Sequence, residues 1–273
     1  MKSWVIGNWK LNPATVAAVD TLVDDLIAKT TSSQADLTSQ CHLMVAPSFL
    51  HLNTVQQKIA TTPIKLASQD VASLSATTGA YTGDVSAEQL QDLGVQWAII
   101  GHSERRQYYQ EDNAVLLQKL LHSAAQGLGV ILCIGESEAD FDAGNTEQVL
   151  AEQLTVIDSF LQQLDSVIDA AEVDQYITDK LIIAYEPVWA IGTGKVPSVD
   201  EVTAVHGFIR QRLQSLKANL DTTPIIYGGS VKPDNAANFA ASEQINGVLV
   251  GGAALQAQSF IDIAQAFANK VAN

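Results

Sequence analysis

The sequence predicts a single (β/α)8 barrel, in which eight parallel strands alternate with helices around a closed sheet. A chain of 273 residues has the usual size of one such domain. Short apolar runs alternate with longer helical patterns from end to end, and the runs are nearly continuous, as in a parallel sheet buried on both faces. No composition change or Pro/Gly/Ser-rich linker divides the chain, so residues 1–273 are predicted to form one α/β domain.

The strands are assigned first, because their number selects the architecture. Eight β-then-α units favour a closed barrel. A doubly wound open sheet is the alternative, and the first unit disfavours it because no G-x-G-x-x-G follows its strand. The predicted strands are Trp4–Gly7, His42–Ala46, Ile64–Ala67, Trp97–Ile100, Val130–Ile134, Leu181–Ala184, Ile225–Tyr227 and Gly247–Val250.

Helical periodicity is clearest in two of the segments between strands. One predicted helix spans Asn113–Gln126, and a longer one spans Glu147–Ile168, with Leu150, Leu154 and Ile157 on one face. Apolar side chains at this spacing are typical of core packing, so neither helix is expected to carry the chemistry.

Charge and cysteine content exclude several classes of function. Thirty acidic and fifteen basic residues give a formal charge of −15, which argues against nucleic acid and anionic membranes as partners. No apolar run approaches the ~18–20 residues of a membrane span, and the N-terminal apolar stretch is too short for a signal peptide. Cys41 and Cys133 lie in apolar runs and are predicted to be buried thiols. A cytoplasmic protein is expected.

Polar residues follow several predicted strands at the end where barrels carry their chemistry. Lys10 follows strand one, His102 follows strand four and Glu186 follows strand six. A buried strand that ends in a lone carboxylate indicates more than packing, because an unpaired buried charge is costly. The loop after Glu186 contains Gly192 and Gly194, which allow backbone amides to face an anion and the loop to move as a lid.

Each of these residues also has an ordinary explanation when taken alone. Lys10 could be a solvated loop cation, His102 a helix cap and Glu104 an acid in the first turn of a short helix at Ser103–Tyr109. Paired glycines are usually tight turns. Their convergence on one rim of one barrel favours a catalytic site, whereas His42, His51, His122 and His206 are expected to be core, cap or surface residues.

Several motifs, in order, resemble those of the triosephosphate isomerase family. The similarity extends over nearly the whole chain. The matching segments are Gly7–Lys10, Gly101–Arg106, Cys133–Glu136, Ala184–Lys195, Tyr227–Ser230 and Val250–Ala253. The resemblance implies a TIM barrel that interconverts dihydroxyacetone phosphate and D-glyceraldehyde 3-phosphate through an enediol(ate), in glycolysis and gluconeogenesis.

The resemblance also implies roles for the rim residues. Glu186 would be the base that moves a proton between adjacent carbons, and His102 a neutral electrophile. Lys10 would supply positive charge to the substrate, Asn8 a polar contact beside it, and Glu104 would orient Lys10 or relay hydrogen bonds.

The phosphate is expected to bind mainly to backbone N–H groups. Those implied are the amides of Gly192, Ser230, Gly251 and Gly252, with a helix start after Gly252 adding its dipole. The loop Pro187–Lys195 would close over the anion and exclude water. No metal or organic cofactor is implied.

The resemblance further implies a homodimer through the loop after strand three, about Gln69–Gly83. This chain departs from the family there: Asp70 follows Gln69 where the family usually has Asn, and the loop is about two residues longer. Two other classes of function remain open from the residues alone. One is a different phosphate-binding barrel enzyme, such as a sugar-phosphate epimerase or aminosugar isomerase, and the other is a non-enzymatic scaffold.

Overall fold

The protein is a closed parallel barrel, as the sequence predicts. The computed structural model describes residues 2–32, 37–74, 77–192 and 194–270. Within them eight strands pair in chain order, and the last pairs with the first. The strands are β1 Ser3–Asn8, β2 Cys41–Ala46, β3 Lys65–Ser68, β4 Trp97–Ile100, β5 Gly129–Ile134, β6 Leu181–Tyr185, β7 Ile225–Tyr227 and β8 Gly247–Val250.

All eight predicted strands are present, with ends shifted by at most one residue. At the seam between β1 and β8, Trp4 pairs with Gly247. A Cβ atom at Gly247 would lie 2.0 Å from the Trp4 carbonyl oxygen, so a glycine is needed for the barrel to close there. β3 begins at Lys65, one residue after the predicted start at Ile64.

Helices cover the outside of the barrel. They are α1 Val16–Ser32, α2 Leu37–Gln40, α3 Leu52–Ile59, α4 Ala87–Asp92, α5 Ser103–Tyr109, α6 Asn113–Ala125, α7 Glu138–Asp142, α8 Thr146–Gln163, α9 Val173–Lys180, α10 Val199–Leu216, α11 Pro233–Ala240 and α12 Ala257–Asn269. None of the helices in the described ranges has the length and apolar character needed to cross a membrane.

The long predicted helix Glu147–Ile168 is the clearest case in which the boundary differs. α8 ends at Gln163 and a 3-10 turn, Leu164–Ser166, follows it. The Ser166 hydroxyl donates to the Gln163 carbonyl at 2.6 Å and so occupies an acceptor of the last turn. Leu164 is still fully buried, so the apolar periodicity continues beyond the α-helical hydrogen bonds.

Two apolar layers share the strands. In β4, Trp97 and Ile99 face the barrel interior, while Ala98 and Ile100 face the helices. Because both faces of the sheet are buried, the strand sequences are nearly continuous apolar runs. Polar side chains are therefore displaced to the strand ends, and the carboxyl ends of the strands form a single rim.

Candidate active site at the carboxyl rim of the barrel

A cavity of about 720 Å³ opens at the rim. It brings together residues that are far apart in the sequence, from the ends of β1, β4, β6, β7 and β8. Of the residues predicted for the site, those lining it are Asn8, Lys10, His102, Glu186, Gly192, Ser230, Gly251 and Gly252. Glu104 does not line the cavity and reaches it through Lys10.

Glu186 is a buried carboxylate with two hydrogen-bond donors. Its side chain is 2% exposed. Oε2 accepts from the Ser103 backbone N–H at 2.9 Å, and Oε1 lies 3.1 Å from Nε2 of His102. The lone acid expected from the sequence is therefore partnered, because the start of α5 lies beside the end of β6. These partners lower the cost of burying the charge.

Two glycines determine where Glu186 lies. A Cβ atom at Gly135 would come 1.7 Å from the Glu186 carbonyl oxygen, and one at Gly228 would come 2.8 Å from its Cγ. The chain after β5 and after β7 therefore lies so close to Glu186 that a side chain at Gly135 or Gly228 would collide with it. The packing role of these glycines is not apparent from the sequence, which presents both as members of turn motifs.

His102 caps α5, and its hydrogen bonds define its protonation. Nδ1 accepts from the Glu104 backbone N–H at 3.2 Å, so that nitrogen carries a lone pair. The ring proton is thereby assigned to Nε2, the nitrogen that faces Glu186. The network describes a neutral imidazole whose N–H points into the cavity.

Lys10 has a left-handed backbone, with φ of 51°, which is uncommon for a residue with a side chain. Such a conformation costs about 1–3 kcal/mol and persists only where the surroundings enforce it. Two side chains do so here. The Asn8 Oδ1 atom accepts from the Lys10 N–H at 3.0 Å, and the Gln69 Nε2 group donates to the Lys10 carbonyl at 2.8 Å. The support from Gln69 was not predicted from the sequence.

The Lys10 ammonium group bridges two parts of the site. Nζ lies 2.6 Å from Oε1 of Glu104, while a Cβ atom at Gly251 would be 3.8 Å from Lys10 Cε. The positive charge therefore extends from the first turn of α5 to the glycine turn after β8. Glu104 is thus both an acid at a helix start and the partner of Lys10.

Glycine turns form the opposite side of the cavity. The four residues predicted to bind phosphate lie after β6, β7 and β8, and Lys232 lines the same region. One turn of 3-10 helix, Gly252–Leu255, follows the last of these strands, where the sequence predicted a helix start. Backbone amides and a lysine give this side the character of an anion site despite the acidic net charge.

The loop after Glu186 is attached firmly at its first end. Trp189 Nε1 and the Tyr185 hydroxyl donate to the same oxygen of Glu136, at 2.8 Å and 3.1 Å. The Trp189 ring also stacks on Phe141, with centroids 4.3 Å apart. Burial raises the pKa of the Glu136 carboxyl above its usual range, although these two donors oppose the shift.

The middle of the predicted lid contains two glycines, and its far end is held by an ion pair. Gly192 and Gly194 have φ of 70° and 81°, both in the left-handed region. Thr193, between them, lies outside the described residues. At the far end Lys195 pairs with Glu138 in the first turn of α7. Two glycines therefore separate two attached ends.

A buried ionic cluster lies under the end of β3. Asp70 contacts Lys119 Nζ at 2.6 Å and Arg105 Nε at 2.8 Å. Glu111 contacts the same two cations, at 2.6 Å and 2.7 Å. Two carboxylates thus balance two cations, and Lys119 is only 3% exposed. The cluster attaches α5, which begins beside His102, to β3 and α6.

Burial acts on the two carboxyl groups of this cluster with different results. It raises the pKa of Asp70 above its usual range, against the opposing effect of Lys119 and Arg105. Burial alone would also raise the pKa of Glu111, but hydrogen bonds and charge from Arg105 and Lys119 outweigh it and lower that pKa.

Known proteins match this chain over nearly its whole length. The model of the triosephosphate isomerase family matches residues 3–267. A protein of Psychrobacter sp. (strain PRwf-1) named triosephosphate isomerase is 66% identical over 271 residues, covering 98% of this chain and all of its own. Proteins of the same name from Psychrobacter cryohalolentis and Acinetobacter baylyi are 52% and 42% identical, each covering at least 96% of both chains.

Proposed function

The chain belongs to the triosephosphate isomerase family, and we propose that the rim cavity performs the family's isomerisation with Glu186 as its base. The reaction interconverts dihydroxyacetone phosphate and D-glyceraldehyde 3-phosphate through an enediol(ate), in glycolysis and gluconeogenesis, and needs no cofactor. The observation that carries the assignment of roles is the 3.1 Å contact between the Glu186 carboxylate and the His102 Nε2 inside that cavity.

Glu186 moves the proton. A base beside two adjacent carbons can remove a proton from one and return it to the other, which the interconversion of ketose and aldose requires. In this structure the carboxylate oxygens are bonded to His102 and Ser103. A substrate that enters the cavity competes for these oxygens, so the base exchanges two hydrogen bonds for contact with the substrate carbon.

His102 stabilises the charge that develops on the substrate oxygens. Its Nε2–H points into the cavity, and its other nitrogen is bonded to the Glu104 amide. A fixed neutral donor stabilises an enediolate oxygen without the reorganisation that water would require. Lys10 adds a positive charge beside the glycine turn, and Glu104 determines its position.

The substrate phosphate is assigned to the amides of Gly192, Ser230, Gly251 and Gly252. This arrangement relies on short-range hydrogen bonds, so it works within a protein whose net charge is −15. Closure of Pro187–Lys195 over the phosphate would exclude water and prevent elimination of phosphate from the enediolate. The attached ends and the two glycines support such a movement.

We also propose a homodimer, which is the usual state in this family. Large apolar side chains are strongly exposed at the carboxyl end of the barrel: Leu11 after β1 is 91% exposed and Leu50 after β2 is 88% exposed. Tyr108 and Tyr109 at the end of α5 are exposed too. A partner subunit would cover such side chains.

The loop Gln69–Gly83 is assigned to the same interface. It follows β3, and the buried ionic cluster lies at its base; its residues Ser75 and Ala76 lie outside the described ranges. Light scattering at micromolar protein concentration tests the dimer, and a monomeric mass would refute it.

The cytoplasm is the proposed location. Both cysteines are free, buried thiols, and burial raises the pKa of Cys41 to about 12. Unreactive, unpaired thiols are typical of reducing compartments.

The proposed proton transfer is tested by turnover of glyceraldehyde 3-phosphate in deuterated water. The coupled assay measures the rate through oxidation of NADH, and proton NMR of the product measures deuterium on the carbon that receives the proton. Fast turnover with deuterium from the solvent supports a base that exchanges with water. Unchanged turnover in a folded Glu186→Gln variant, which lacks the carboxylate base, would overturn the role of Glu186.

A further inference from the structure

The opposite mouth of the barrel contains a second large cavity. It has a volume of about 610 Å³ and lies where the strands begin. Lys65 is the first residue of β3, Lys180 directly precedes β6, and Lys2 directly precedes β1. All three lysines line this cavity, and so does His42 of β2.

Cations outnumber anions in this cavity, although the chain as a whole is acidic. Among the described residues that line it, Asp179 is the one carboxylate, against three lysines. Within the described part of the chain, Lys65 and Lys180 form no ion pair, and the Lys2 ammonium donates to the Thr38 carbonyl at 3.2 Å. Positive charge is therefore concentrated at a place where one carboxylate, Asp179, offsets only part of it.

Two pKa shifts show the effect of this concentration. Burial, followed by the charges of Lys180 and Lys2, lowers the pKa of Lys65 below its usual range. Burial, followed by the charges of Lys65 and Lys2, lowers the pKa of His42 to about 4. The cations thus repel one another across the cavity, and a bound anion would relieve that repulsion.

A favourable interaction with a helix C-terminus accounts for only one of the three lysines. Lys180 lies in the last turn of α9, where a lysine offsets the partial negative charge of the helix carbonyls. Lys65 starts a strand and Lys2 precedes one, so neither has that role. The wall beside them is rigid and aromatic: the Trp4 ring lies 4.2 Å from His42 and 5.0 Å from Trp97, between centroids.

We propose that this cavity binds a small phosphate-bearing anion, and that Lys2, Lys65 and Lys180 are its ligands. Lysine ammonium groups are common phosphate ligands, and the volume is in the usual range of small-molecule sites. Three lysines and one carboxylate leave a net charge of about +2, which balances the charge of one phosphate group. The net charge of −15 opposes the approach of an anion at long range, but salt screens that repulsion beyond about 8 Å.

This site is separate from the isomerase cavity. The six residues of β1 span about 20 Å between the two mouths, so one ligand cannot occupy both. None of the three lysines contributes to the proposed chemistry at the rim. Binding at this mouth can therefore be measured while the rim is occupied by another ligand.

Isothermal titration calorimetry with inorganic pyrophosphate tests the proposal. The protein is saturated with glycerol 3-phosphate to fill the isomerase cavity, at an ionic strength of about 0.15 M and without divalent cations. One pyrophosphate is expected to bind per chain. Lys65→Gln and Lys180→Gln should each weaken binding about tenfold or more, since each removes a charged hydrogen-bond donor. Lys217→Gln is the control, because that lysine already pairs with Asp174 elsewhere.

A second readout separates binding at this mouth from binding elsewhere. Bound pyrophosphate adds negative charge beside His42, so the pKa of that imidazole, followed by NMR, should rise from about 4. Titration with ADP shows whether a ring beside the phosphates adds affinity, as contact with the aromatic wall would require.

Two results would overturn the proposal. One is no binding of pyrophosphate or ADP to the wild type while the rim is filled. The other is unchanged affinity in both lysine variants, which would place the bound anion elsewhere. Isomerase activity should be the same in Lys65→Gln, Lys180→Gln and the wild type, so this test and the test of the proposed function fail independently.

Discussion

Gly228→Ala perturbs the catalytic base without changing any chemical group of the site. The new methyl carbon would lie 2.8 Å from Glu186 Cγ and 3.2 Å from the Tyr185 carbonyl oxygen. Since carbon atoms in contact are about 3.5–4.0 Å apart, the Glu186 side chain must move by about 1 Å. A displacement of this size at a reacting group lowers the rate by about 100-fold, or about 2.7 kcal/mol in the barrier.

The measurement is kcat in the coupled assay, together with circular dichroism and thermal unfolding. Gly207→Ala in α10 is the matched control, because a Cβ atom there has no neighbour within 4 Å. Gly228 does not have a left-handed φ, so alanine itself causes no backbone strain there. A folded Gly228→Ala protein with kcat within about threefold of wild type would refute the inferred packing around Glu186.

Three further predictions concern stability and assembly. Lys119→Met removes a cation shared by Asp70 and Glu111, so urea denaturation should show a loss of about 3–5 kcal/mol, and a loss below about 1 would contradict the buried cluster. Burial lowers the pKa of His206 from 6.5 to about 4. Between pH 6.5 and pH 4 the unfolded state therefore binds one more proton than the folded state. The contribution of His206 to stability, about 3 kcal/mol, should therefore be lost as pH decreases from about 6.5 to 4, and His206→Phe should reduce the slope of stability against pH by one proton. Leu50→Lys places a charge in the proposed interface and should shift the light-scattering mass towards a monomer, while an unchanged dimer would place the interface elsewhere.

The residues that could be predicted from sequence are those at strand ends. Glu186 follows an apolar run directly, and His102 follows another, so the barrel topology alone predicts that they meet at one rim. The family resemblance, which the comparisons confirm, then supplies the reaction. The local sequence pattern is sufficient to predict these positions. The alternation of strands with helices determines whether a residue lies at the amino or the carboxyl end of the barrel.

The supporting contacts could not be predicted in the same way. Gln69 reaches the Lys10 carbonyl across 59 positions of the sequence, and Lys119 reaches Asp70 across 49. The sequence draws attention to the pair Gln69-Asp70, but it contains no indication of their partners. Such contacts depend on the closeness of neighbouring strand ends and on the direction of each side chain, which periodicity does not encode.

The central claim is that the buried carboxylate of Glu186 transfers the proton. The most direct test is kcat of Glu186→Asp, which keeps the charge but shortens the side chain by one methylene group. Because the reaction requires the base at the substrate carbon, kcat should fall by orders of magnitude while the protein stays folded. A folded Glu186→Asp protein with the turnover of the wild type would show that another group is the base.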